Sequence, residues 1–151
     1  MQHSFDIIIA KEYGVLEAIL INHFEFWIAK NAANQKNYYD GQYWTYNSIK
    51  SFNQLFPYVT PKQIRNALEH LKELGIIQTG NFNKSSYDRT LWYAFAPEGK
   101  WIVQKCKMES AKWANGFDLE GKPIPDINTY INTNINNNKE LFDYDWINGE
   151  E

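Results

Sequence analysis

The chain has 151 residues, of which 44% are hydrophobic and 17% aromatic, and a formal net charge of −3. That length suits one domain with a sizeable core plus an appendage, and the aromatics concentrate burial in few large side chains. A single cysteine, Cys106, excludes an internal disulfide and a thiolate metal site, and fits a reducing, cytoplasmic setting.

The start of the chain lacks the basic region of a signal peptide. The longest apolar stretch, 15–28, is broken by Glu17, Asn22, His23 and Glu25 and is too short and too charged to span a bilayer. Charge is unevenly divided. Residues 1–107 carry 12 Lys+Arg against 9 Asp+Glu, whereas 108–151 carry 3 against 9. A mildly basic body beside an acidic tail fits a nucleic-acid surface next to an acidic arm.

Residues 5–9 are a short apolar run, expected to be extended. Residues 12–31 follow a helical pattern that is apolar on most faces, which predicts a central, buried helix. Such a helix can also bury one side against a second copy, so a homodimer is among the expected assemblies. Asp40-Gly41 signals a turn, and 42–45 a short strand. In 47–56, Ile49, Phe52 and Phe56 share one helical face, with Thr45 or Asn47 as cap and Pro57 as terminator.

The next helix, 60–74, has the clearest boundaries. Thr60 is a favoured N-cap, Pro61 occupies the first helical position, and Gly75 can take the left-handed conformation that stops a helix. Ile64, Ala67, Leu68 and Leu71 form its core stripe. A strand begins at Ile76-Ile77, and a return strand occupies 90–96 after a polar connection at 81–89. A last helix is predicted over 100–113. Beyond it, 126–138 is a low-complexity Ile/Asn/Thr run that reads as a linker, because Asn and Thr disfavour a stable helix there. The acidic, aromatic end at 141–151 reads as a docking peptide.

Short helix, tight turn, capped helix and hairpin, in that order over 44–93, spell a winged helix-turn-helix. The predicted fold is therefore α+β and mainly helical, with a two- or three-stranded wing sheet. The domain covers 1–113, and a linker with an extended acidic C-terminal arm covers 114–151.

At about 100° per residue, Lys62, Asn66, Glu69 and Glu73 point away from the core stripe, with Gln63 and His70 on one flank and Arg65 and Lys72 on the other. The first turns thus present donor-rich side chains, the types that contact phosphates and base edges when a helix enters the major groove. The hairpin connection adds Lys84, Ser85, Ser86 and Arg89, suited to the phosphate backbone or the minor groove. The predicted DNA-binding set is Thr60, Lys62, Gln63, Arg65, Asn66, His70, Lys84, Ser85, Ser86 and Arg89. Glu69 and Glu73 limit how far along the helix DNA can lie.

Catalysis finds little support. His3, His23 and His70 lack metal-ligand spacing, and no glycine-rich phosphate loop occurs. His23 reads as a core histidine, and Asp143 and Asp145 as solvated tail carboxylates. The aromatics Tyr38, Tyr39, Tyr43 and Trp44 match base stacking on single strands but are better explained by packing. A non-enzymatic protein without metal or cofactor is expected.

The stretch 8–92 also resembles a known family. The residues concerned are Ala10, Tyr13-Gly14-Val15, Phe26-Trp27-Ile28, Tyr39-Asp40-Gly41, Trp44 to Ser48, Phe56-Pro57-Tyr58, Ile64-Arg65, Ala67-Leu68, Gly80 to Lys84, Asp88-Arg89-Thr90 and Trp92-Tyr93. They resemble the N-terminal winged-helix domain of phage and prophage replication proteins of low-GC Gram-positive bacteria, the DnaD-like and related replisome organisers. The resemblance implies binding of double-stranded origin DNA and, through the C-terminal arm, contact with replication proteins. The sequence departs from that pattern: only about a dozen residues follow the linker, so no second folded domain is expected in it. Two other functions remain open: a transcriptional regulator with the same contacts, and a protein–protein interaction module that binds no DNA.

Overall fold

The computed structural model describes residues 1–114 of the 151. The chain divides into two units, Met1–Ser110 and Ala111–Glu151, and the sheets and hydrophobic core lie in the first. The expected linker, its Ile/Asn/Thr run and the acidic end lie outside the described residues. Among the described residues, five helices and five short strands make an α+β body.

Helix α1 is Ile7–Tyr13, where an extended segment was expected. Three consecutive isoleucines resemble a strand. Asp6 decides otherwise: its carboxylate accepts from the N–H groups of Ile8 and Ile9 at 2.9 and 3.1 Å, capping a helix that buries both side chains. Gly14, at φ +117°, ends α1 and opens α2, Val15–Ala33. The single helix predicted over 12–31 is thus broken at a backbone conformation that favours glycine. Helix α2 buries Ala18 to Ile21 and Phe24, but Phe26 is 60% and Trp27 38% exposed. It is central only in its first half.

Strands β1, Tyr38–Tyr39, and β2, Gln42–Tyr43, form a hairpin across Asp40 and Gly41, both at positive φ as a two-residue type I′ turn requires. The single strand expected over 42–45 is therefore two, since β3, Thr45–Asn47, leaves this hairpin for another sheet. Helix α3, Ile49–Leu55, is capped by Ser48, whose hydroxyl accepts from the Ser51 N–H at 3.1 Å. Neither Thr45 nor Asn47 caps it, because both belong to β3. Helix α4, Pro61–Glu73, begins at Thr60 and ends before Gly75 at φ +74°, as its punctuation predicts.

Strands β4, Ile77–Gly80, and β5, Leu91–Phe95, complete an antiparallel sheet in the order β3-β5-β4. Helix α5, Pro97–Ala114, starts three residues earlier than predicted. Its first turn crosses the chain so closely that a Cβ on Gly99 would lie 1.9 Å from the Ile76 carbonyl oxygen.

The main core joins α1, α2, α3, α4 and α5 to the inner face of the sheet, with Phe24, Phe52, Ile64, Leu71 and Tyr93 almost fully buried. β5 is the central strand, so Trp92 to Phe95 are buried on both faces. The outer face carries a second cluster of Trp44, Trp92, Ala94 and Phe82. Trp44 is buried and Tyr39 stacks on Phe82 at 4.6 Å, so both pack against this cluster, while Tyr38 stays 57% exposed. No helix among the described residues is long and apolar enough to cross a membrane.

Candidate nucleic-acid interface

The capped start of α4 positions the first group of predicted contacts. Thr60 Oγ1 accepts from the Gln63 N–H at 3.1 Å, and Gln63 Oε1 accepts from the Thr60 N–H at 2.8 Å. This reciprocal pair satisfies two of the N–H groups that a helix start leaves without partners. Thr60 and Gln63, both expected as DNA contacts, thus also hold the helix start through their side-chain oxygens. The Thr-x-x-Gln spacing is itself the signature of this box and was legible in the sequence.

Lys62, Arg65 and Asn66 are exposed on α4. His70 is not placed with them. Its Nδ1 lies 2.5 Å from Glu17 Oε2 of α2, so it ties α4 to the helix behind it. Arg65 and Asn66 instead line a groove of about 380 Å³ together with Glu69 and Lys72 of α4 and with Thr79 and Leu91 of the sheet. Leu68, Ile49 and Tyr93 form its floor. Burial, and secondarily the Glu69 carboxylate, push the Tyr93 phenol up to about 12, so it stays a neutral donor beside the groove.

Arg89 lines an adjoining recess of about 300 Å³ with Asn47, Ser48 and Thr90, and the two recesses share Ile49, Leu91 and Tyr93. Arg65 and Asn66, more than twenty positions before Arg89 in sequence, thus line a groove that adjoins the Arg89 recess. Lys84 and Ser86 are exposed in the β4–β5 connection and line neither recess. Ser85 accepts from the Tyr87 N–H at 3.2 Å and shapes the turn.

That connection is organised by Asn83. Its amide donates to the carbonyls of Asp88 and Thr90 at 2.9 and 2.8 Å, and its oxygen accepts from the Trp92 indole at 2.7 Å. Asp88 caps the far side through the Thr90 N–H at 3.0 Å, a bond that lowers its carboxyl pKa. The connection is therefore a ten-residue loop held in one shape, from 81 to 90, rather than continued strands. The predicted contact set leaves out Asn83, Asn47 and Lys72. Asn83 reads as part of a polar connection and Asn47 as a helix cap, and Lys72, although on the Arg65 flank, lies in the last turn, where a helix-dipole role explains it equally well.

Among the described residues, no group of three or more His, Cys, Asp or Glu side chains could hold a metal ion. No protein-family model matches the chain, and no curated protein and no solved structure matches it either.

Proposed function

We propose that the body is a winged helix that binds double-stranded DNA, with α4 as the recognition helix and the β4–β5 connection as the wing. Support comes from the element order β3-α3-α4-β4-β5 and the sheet order β3-β5-β4. The observation that carries the reading is a pair of adjoining recesses: Arg65, Asn66 and Lys72 of α4 line one, Arg89 at the base of the connection lines the other, and both include Ile49, Leu91 and Tyr93. Cations and amides at that spacing meet phosphates and base edges, while Lys84 and Ser86 extend the surface toward the minor groove. The further step, to replication initiation in a phage or mobile element, rests on the family resemblance of 8–92 and is proposed on that ground alone.

The test is a shift assay with duplex fragments at several salt concentrations. Arg65→Ala and Lys62→Ala each weaken all duplexes and lower the salt slope by about one unit per lost phosphate contact. Asn66→Ala relaxes sequence preference at a cost of about 1–3 kcal/mol. Absence of binding by the wild type at low salt overturns the reading. An interaction module is the second reading, favoured by Glu69 inside the groove and Glu73 beyond it on α4. Salt-insensitive capture of a protein, with no duplex bound, would establish it. Footprinting of the bound site separates replication from regulation, since origin repeats support the first and a promoter operator the second.

A further inference from the structure

The exposed aromatics of α2 and β3 meet at a third recess. It has a volume of about 420 Å³ and is lined by Trp27, Asn31, Lys36, Asn37, Tyr46 and Asn47, among others. It lies beside β3, an edge strand of its sheet. Two large rings keep unburied surface here: Tyr46 is 53% and Trp27 38% exposed. Tyr46 leans on Trp92 at 4.6 Å between ring centres, which holds its ring in place while leaving more than half of the residue open. Lys30 Nζ sits 4.8 Å over the Trp27 ring, and Lys36 lines the recess itself. Among the described residues neither lysine is in an ion pair. Asn31 is committed to the Trp44 carbonyl at 2.8 Å. The Lys36 N–H bonds the Asn31 carbonyl at 2.9 Å, which fixes the lip.

Open rings flanked by unpaired cations and amides suit a ligand with flat π faces and negative charge. An apolar peptide would leave the lysines unanswered, and a purely anionic one would leave the rings unused. Nucleic acid with an unstacked base satisfies both. We propose that this recess takes an unpaired nucleobase of a single-stranded DNA segment, stacked on Tyr46 beside Trp27, with its phosphates held by Lys36 and Lys30.

The placement ties the recess to the duplex surface. Asn47 lines both this recess and that of Arg89, and the latter shares Ile49, Leu91 and Tyr93 with the α4 groove. In this proposal a strand leaving a duplex on α4 runs past Arg89 and Asn47, the residue common to the two recesses, to Tyr46. The ligand is a duplex with a single-stranded extension, a form of the site that rests on the duplex reading above.

The test compares the full chain on a blunt duplex, on the same duplex with a short thymidine tail, with an abasic tail, and on a thymidine oligonucleotide alone. The thymidine tail tightens binding about fivefold or more, and the abasic tail does not. Tyr46→Ala removes the tail advantage and leaves blunt-duplex affinity unchanged, while Tyr46→Phe retains both, since the ring and not the hydroxyl stacks. Lys36→Ala reduces the tail advantage. Arg65→Ala weakens blunt and tailed duplexes alike and keeps their ratio. Equal affinity for tailed and blunt duplexes, or a tail advantage that survives Tyr46→Ala, overturns the proposal. If no blunt duplex binds yet the thymidine oligonucleotide binds in a Tyr46-dependent way, the duplex reading fails and the recess stands.

Discussion

Asn83 is a single side chain with three hydrogen bonds, two given to carbonyls of its own loop and one accepted from the Trp92 indole. Asn83→Ala leaves that indole N–H without its protein partner and frees the loop, a cost of about 1–3 kcal/mol. The expected signature is faster amide exchange over 84–90 together with weaker duplex binding. Unchanged exchange there would remove Asn83 from its organising role. His23 acts differently. It sits among the rings of Phe24, Phe52 and Phe56, and burial, helped by nearby His3, lowers its pKa from 6.5 to about 4. Between those values the unfolded chain binds more protons than the folded one. The stability it contributes is complete above pH 6.5 and falls as pH drops toward 4. At about 1.4 kcal/mol per pKa unit, discounted for its partial exposure, the loss is on the order of 2 kcal/mol. Urea midpoints at neutral and acid pH check this, and His23→Gln is expected to flatten that part of the pH profile.

Elements hold together through their ends. The Thr60–Gln63 box supports the start of α4, so Gln63→Ala lowers stability by about 1 kcal/mol, with duplex affinity falling only through a frayed helix start. Gln63→Glu keeps the box geometry and restores the melting temperature, while the added negative charge weakens DNA binding. At α5 the sign of the effect is diagnostic. Gly→Ala inside an exposed helix gains about 1 kcal/mol. At Gly99 the new Cβ meets the backbone oxygen of Ile76, so Gly99→Ala is expected to lower the melting temperature, on the order of 10 °C. A rise would show that the first turn of α5 moves away from the strand without cost.

The whole body contains one main core and one aromatic cluster on the opposite face of the same sheet. β5 belongs to both, because Tyr93 and Phe95 face the helices while Trp92 faces Trp44 and Phe82. The two should therefore unfold together, with far-ultraviolet and near-ultraviolet circular dichroism giving coincident urea transitions. An earlier loss of the near-ultraviolet signal would mark aromatic packing as a less stable unit that unfolds before the rest. The molecule also joins distant residues into its candidate surfaces. Arg65 and Arg89 line adjoining recesses although one is on a helix and the other follows a loop, and Trp27 and Tyr46 line one recess from different elements.

Local chemistry alone determined the elements with strong punctuation. Thr60-Pro61 and Gly75 bounded α4, Asp40-Gly41 set a hairpin turn, and Ile64, Ala67, Leu68 and Leu71 marked the buried stripe, since each depends on neighbours within a few residues. Propensity misled where isoleucines at 7–9 resembled a strand and where Gly14 cut one apolar run into two helices. The Thr-x-x-Gln spacing carried the capping box of Gln63, although only Thr60 is read as a cap from the sequence and Gln63 as a DNA contact. The attachment of His70 to Glu17 was not, because the two are 53 positions apart and meet only when α4 packs against α2. The same holds for the groove: exposure of Arg65 and Asn66 follows from helical period, but their juxtaposition with Arg89 exists only once β5 returns beside β3. Periodicity tells which face of an element is apolar, whereas the neighbour that faces it is decided by how the elements pack.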